Sequence, residues 1–134
     1  MLVVGRLQKY LKENKFASFE EYIDYLESDL STKALSDLIN RISTNHTYFF
    51  REKEHFQFLD SVVLPQIVEK NRHEKNKDLR VWSGGCSAGD EAYSLLITIK
   101  EFLGAKYTEW DAGVLATDIS EIVLNEARKG EYVK

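Results

Sequence analysis

Apolar residues in the first third of the chain recur every three to four positions, the spacing of amphipathic helices. Leu2, Val3, Leu7, Tyr10 and Leu11 repeat in this way, with Arg6, Lys9 and Lys12 among them. Ser18 followed three residues later by Glu21 has the form of a capping box and predicts a helix carrying Phe19, Tyr22, Ile23 and Leu26. Ser31 or Thr32 is expected to cap a third helix, whose Ala34, Leu35, Leu38, Ile39 and Ile42 form its apolar face. The periodicity lapses at the polar run Ser43 to Thr47. It resumes after Phe49-Phe50-Arg51-Glu52, through Phe56, Leu59, Val62 and Val63. Pro65 cannot donate to a helix ladder, so it is expected to begin a new helix or kink the old one. The charged stretch Glu69 to Asp78 reads as a boundary at the end of this helical part.

From Leu79 the pattern changes. LRVWS reads as a strand running into the glycine turn GGCSAG, and DEAYSLLITIKEFLG as a helix with Asp90 and Glu91 in its first turn and Gly104 just past its end. AGVLATD is a second buried-looking strand and ISEIVLNEAR a further helix. Strand, glycine turn, helix, strand, helix is the opening of a parallel α/β sheet. The expected organisation is a helical N-terminal subdomain over 1–43, linker and helices over 44–78, and the first half of an α/β domain over 79–134.

Composition sharpens this picture. The 134 residues are 43% hydrophobic and 30% charged, as expected for a soluble globular chain able to bury a core. A net charge of −4 argues against bulk nucleic-acid binding. Cys86 is the single cysteine, which excludes an internal disulfide and fits a reducing cytosol. No apolar run approaches the roughly 20 residues of a membrane span, and the N-terminus lacks the pattern of a signal peptide. The expected location is cytoplasmic.

Three features carry candidate chemistry. In WSGGCSAG, Gly84, Gly85 and Gly89 let backbone approach a ligand closely, and the helix behind them presents free N–H groups. Such a turn serves nucleotides, dinucleotides and S-adenosylmethionine alike. The spacing is not that of the dinucleotide fingerprint, and the lysine of a P-loop is absent. Asp118, at the end of the second strand, could accept bonds from ribose hydroxyls or cap the helix after it. Glu91 could bind a ligand's amino group or merely favour the helix dipole. In TNHTYFFRE, three adjacent aromatics cannot share one helix face. They read either as a plain hydrophobic anchor or as a device holding Asn45, Thr47 and Arg51 in place.

TNHTYFFRE, then RVWSGGCSAGDEAYSL, then VLATDIS resemble, in order and spacing, the chemotaxis-receptor methyltransferase family. The resemblance runs from about Leu7 to the last residue and includes SFEEYIDYLESD. It implies a small helical N-terminal domain and a doubly wound α/β domain, with S-adenosylmethionine or its product S-adenosylhomocysteine bound between them. The implied activity is methyl transfer onto glutamate side chains in the cytoplasmic domain of chemoreceptors. By motif, Asn45, Thr47 and Arg51 are implied to touch the cofactor, with Arg51 also near the substrate carboxylate as the catalytic residue. Glu91 is implied to contact the methionine end and Asp118 the ribose, while the turn at Gly84 passes beneath the cofactor. The sequence departs from the usual family form at Ala88, Asp90 and Ala92, where threonine, glutamate and proline are common.

The implied reaction needs no protein nucleophile, so Cys86 is expected to be a packing residue. His46, His55 and His73 show no metal-ligand spacing, and no metal site is expected. Arg6, Lys9, Lys12 and Lys15 form a basic stripe that is either a solvated face or a receptor-docking helix. Family domains continue with further strands. The chain is therefore expected to be a fragment, a truncated product or a chain completed by another subunit. Pairing or domain swapping through the incomplete sheet is also expected. The alternative function is a non-catalytic module binding receptor or cofactor. A generic small-molecule methyltransferase leaves TNHTYFFRE unexplained.

Overall fold

The computed structural model describes residues 2–74 and 76–132. The side chains of Leu2 and Val3, which the periodicity groups with Leu7 and Leu11, lie outside the described residues. Backbone contacts divide the chain into two units, one of Met1–Thr44 with Ile119–Ile122, the other of Asn45–Asp118 with Val123–Lys134.

The first unit is built on α1 (Leu2–Glu13), α2 (Phe19–Ser28) and α3 (Lys33–Ile42). Leu7, Leu11 and Tyr22 are its buried centre, packed by Tyr10, Phe16, Phe19, Leu26, Leu38 and Ile42. The rings of Tyr10 and Phe16 meet Tyr22 edge-on at 5.6 and 5.2 Å, geometries that favour aromatic pairs beyond their area. The Arg41 guanidinium lies 3.8 Å from the centre of the Tyr10 ring.

Helix ends are held largely as the residue types dictate. Ser18 Oγ accepts the Glu21 N–H at 3.2 Å, and the Glu21 carboxylate reaches back to the Ala17 N–H rather than to that of Ser18. The start of α3 departs from expectation. Thr32 takes a left-handed φ of 60° and its side chain caps nothing. Asp29 does the capping: its carboxylate accepts from the Ala34 N–H at 2.6 Å and from the Ser31 N–H and hydroxyl. Ser31 Oγ contributes a longer bond from the Lys33 N–H.

The Ser31 hydroxyl first, then the Ala34 amide, hold the Asp29 carboxyl below its usual value. A lowered carboxylate stabilises the fold above the ordinary aspartate value, and the effect is lost as pH falls through the lowered one. Asp29→Ala should therefore lower the thermal midpoint of the helical unit near about pH 7, and the difference from wild type should vanish near about pH 2. Circular-dichroism melts at the two pH values check this.

The basic stripe on α1 is only partly a free surface. Arg6 donates to the carbonyls of Ile42 and Ser43 and to Thr44 Oγ1, satisfying acceptors left open at the end of α3. Lys9 pairs with Glu13 on the exposed face, and Lys15 lies beyond the helix at φ 62°.

The second unit begins with α4 (Lys53–Phe58), a π-helical turn (Leu59–Val63) and α5 (Leu64–Glu74) in succession. Pro65 explains the irregularity. It has no N–H to return to the preceding turn, and the hydrogen-bond register widens just before it. α5 begins at Leu64 with Pro65 in its first turn, as expected of a helix opened by proline, but it follows the π-helical turn without a break. Strand β1 (Asp78–Gly84) pairs in parallel with β2 (Asp111–Thr117), Val81 opposite Val114 and Gly84 opposite Thr117. Between them run α6 (Asp90–Leu103) and a 3₁₀ segment (Gly104–Glu109); α7 (Glu121–Lys129) follows β2.

Leu64, Leu79, Ile99 and Leu103 form the core, with Ile67, Val68, Val81, Phe102, Ala112 and Val114 around it. One buried cluster thus joins α5, β1 and α6, and Asn71 Nδ2 also donates to the Asp78 carbonyl at 2.8 Å. The charged stretch from Glu69 to Asp78 takes in the second half of α5 and the first residue of β1, elements that share this core. The other sheet face is open: Trp82 and Leu115, paired across the strands, are 70% and 63% exposed.

Candidate functional site

Beyond Gly84 the chain makes a tight turn over the end of β2. The N–H groups of Gly85 and Cys86 both donate to the Thr117 carbonyl, at 2.7 and 2.9 Å, and the Gly89 N–H closes onto the Cys86 carbonyl at 2.9 Å. Gly85 and Gly89 hold φ of 83° and 96°, a region that favours glycine. A Cβ at Gly85 would meet nothing within 4 Å, so the turn has open space beside it.

Ser87 ties the turn to its neighbours. Its N–H donates to Asp118 Oδ2 at 2.8 Å and its hydroxyl to the Asn45 carbonyl at 2.9 Å. It is 7% exposed, with a left-handed φ of 50° that is uncommon for a residue with a Cβ. Two residues singled out in the sequence, Asn45 and Asp118, are therefore joined through a third that was not. The signal was faint: a serine between small residues reads as turn chemistry only.

Glu91 is held from the strand. The Ser83 hydroxyl, 1% exposed, donates to Glu91 Oε1 at 2.6 Å. Alternation along β1 points Ser83 inward beside Leu79 and Val81. Glu91 and Arg51 line a cavity of about 490 Å³, together with Glu52, His55, Val81 and Trp82.

Arg51 lies between two left-handed residues, Phe50 at φ 55° and Glu52 at φ 56°. Such positions cost of order 1–2 kcal/mol each and need outside support. The support is visible. The Phe50 N–H donates to Ser94 Oγ at 3.0 Å, and Arg51 Nη1 donates to the His46 carbonyl at 2.8 Å. Thr47 is half-buried in the same linker and stands outside these bonded sets.

Asp118 also lines a second, largely apolar cavity of about 460 Å³, bordered by Ala92, Tyr93, Leu96, Val114 and Leu124. The structure thus groups the candidate residues as two pairs, Asn45 with Asp118 through Ser87, and Arg51 with Glu91 around one cavity. Gly84 ends β1 at the root of the turn, where a Cβ would first meet the Trp82 ring, at 3.5 Å.

Cys86 is 1% exposed, and burial, reinforced by the nearby Asp118 charge, pushes its thiol above the usual value. A thiol so placed stays protonated and is a poor nucleophile. Among the described residues, no group of three histidines, cysteines or carboxylates is placed to hold a metal ion. No helix among them is long and apolar enough to cross a membrane.

Comparison with known proteins gives this geometry its context. Residues 1–43 match the family described as CheR methyltransferase, all-alpha domain, and residues 45–134 match CheR methyltransferase, SAM binding domain. A chemotaxis protein methyltransferase of Borreliella burgdorferi is 46% identical over 132 residues, which cover 98% of this chain and 47% of that protein. A probable chemotaxis protein methyltransferase of Rhizobium etli is 34% identical, over 98% of this chain and 48% of its own length. One of Listeria innocua is 32% identical, over 95% and 45%. The chain spans about half the length of these relatives. Both matches fall in the order helical domain, then α/β domain, that the fold displays, and the chain belongs to the CheR methyltransferase family.

Proposed function

We propose that the protein is a chemotaxis-type protein-glutamate O-methyltransferase, taking a methyl group from S-adenosylmethionine to glutamate side chains of chemoreceptors. The observation that carries this is the turn Gly84–Gly89, clamped by Ser87 to Asp118 and Asn45. The residues fit the cofactor. Gly85 leaves a space that any side chain would fill, and Asp118 and Glu91 are acceptors suited to ribose hydroxyls and an ammonium group.

The cofactor, when bound, supplies a methyl group on a positively charged sulfur. A carboxylate oxygen of the receptor glutamate would accept that methyl group, the O–C bond forming as the C–S bond breaks. A methyl ester and a neutral thioether would result, with no proton transferred. The protein's task is orientation and exclusion of water. Arg51 carries a fixed charge at the cavity it shares with Glu91 and would align the incoming carboxylate. Asn45 and Thr47 would close on the cofactor from the linker. Receptor docking on α1 would fall to Lys9 and Lys12, since Arg6 is engaged with the end of α3.

Calorimetric titration with S-adenosylhomocysteine tests the cofactor half, and labelled-methyl transfer onto a receptor cytoplasmic fragment tests the rest. The 134-residue chain is expected to bind cofactor product. Binding without transfer would favour the non-catalytic module, and neither would overturn both readings.

A further inference from the structure

We propose that Tyr132 is a positioning residue that fixes the glycine turn and the aromatic linker in the arrangement needed to receive the cofactor. The inference rests on the cofactor reading above.

The Tyr132 hydroxyl donates to the Ala88 carbonyl at 2.7 Å. Ala88 stands between two left-handed residues, Ser87 at φ 50° and Gly89 at φ 96°. A left-handed residue that carries a Cβ, as Ser87 does, is held only where its surroundings over-determine it, so the turn on either side of it needs anchors. Tyr132 supplies one, while Ser87 on the other side carries the bonds to Asp118 and Asn45. The phenol comes this close because position 89 is glycine. A Cβ there would lie 2.8 Å from the Tyr132 oxygen and 2.9 Å from Ala127 Cβ.

The same ring reaches the linker. Phe49 meets Tyr132 edge-on at 4.8 Å and 89°, and Tyr93 meets it at 5.6 Å. Tyr93 in turn donates to the Ala127 carbonyl at 3.2 Å. One side chain therefore contacts both segments that carry the candidate cofactor residues, the turn and the stretch Asn45–Arg51. Burial pushes the Tyr132 phenol up to about 12, with the Asp90 carboxylate adding to the rise. The hydroxyl thus stays a donor throughout the neutral range.

Tyr132→Phe in the whole chain removes the donor and keeps the ring. Exchange of the Ser87 and Gly89 amides is expected to quicken about five-fold, the scale of one hydrogen bond. The Kd for S-adenosylhomocysteine should rise by a similar factor of about five, while core amides such as that of Ile99 keep their rates. A purely structural role would speed the core and turn amides together and leave the affinity of the folded protein unchanged. That pattern, or turn amides that do not respond, overturns the role of Tyr132. A wild-type chain that binds no S-adenosylhomocysteine overturns the cofactor reading instead.

Discussion

Asp118→Ala is expected to weaken S-adenosylhomocysteine binding at least about 50-fold, the largest effect of any single change at the site. Two losses combine. The Ser87 N–H, now bonded at 2.8 Å to Oδ2, would be left without its charged acceptor in a part-buried position. Groups stranded in this way cost about 1–3 kcal/mol. The ribose hydroxyls would lose a charged acceptor worth about 1.5–3 kcal/mol. Together these reach roughly 2.5–6 kcal/mol, and every 1.4 kcal/mol is about a factor of ten. Asp118→Asn keeps an oxygen for Ser87 and surrenders only the charge, so a loss of about ten-fold is expected there. Calorimetric titration distinguishes the two, and an alanine variant within about three-fold of wild type would exclude Asp118 from the ligand site.

The second large effect concerns stability. Leu64 is fully buried at the start of α5, one residue before Pro65, and packs with Leu79, Ile99 and Leu103. The interrupted helix around it gives little freedom to collapse onto a void. Leu64→Ala should cost about 2–5 kcal/mol, the range for leucine truncation in a close-packed core. Both tryptophans, Trp82 and Trp110, lie in this unit, so their fluorescence follows its unfolding and not that of the helical one. With a urea dependence of about 1–3 kcal/mol per molar, the midpoint should fall by roughly 1–2 M. A shift under about 0.3 M would mean that α5 is not integral to the α/β core.

That core shows where the sequence was legible. The strands and helices after Leu79 follow from period and glycine placement, because parallel strands and capped helices impose those patterns directly. Residues 53–74 were less transparent. Their apolar positions predict a helix, but nothing local says which neighbour it packs against, since Leu64 finds Leu79, Ile99 and Leu103 only across long sequence separations. The cap of α3 is only partly legible for a related reason: Thr32 is the N-cap and Ser31 Oγ accepts from the Lys33 N–H, but the shorter bond goes to Asp29. Asp29 reaches the Ala34 N–H across five residues, through a left-handed Thr32 that no propensity favours. At the site, Asn45, Arg51, Glu91 and Asp118 stood out through motif and charge. The serines that hold three of them did not: Ser83 resembles any small residue in a buried strand, and Ser87 any turn residue. Their roles appear only when β1, β2 and the linker are brought together.

The carbonyl of Thr117 and the carboxylate of Asp118 between them take up three consecutive amides, those of Gly85, Cys86 and Ser87, and the Gly89 amide is spent on Cys86. In glycine loops that cradle phosphate, such amides are the ligand's donors. Here they are turned inward, toward the strand ends. What the loop offers outward at Gly85 is open space, with the Asp118 carboxylate held at its edge by the Ser87 amide. The hydrogen bonds that shape the turn thereby also sort its ligands, disfavouring a phosphate that would need those amides as donors.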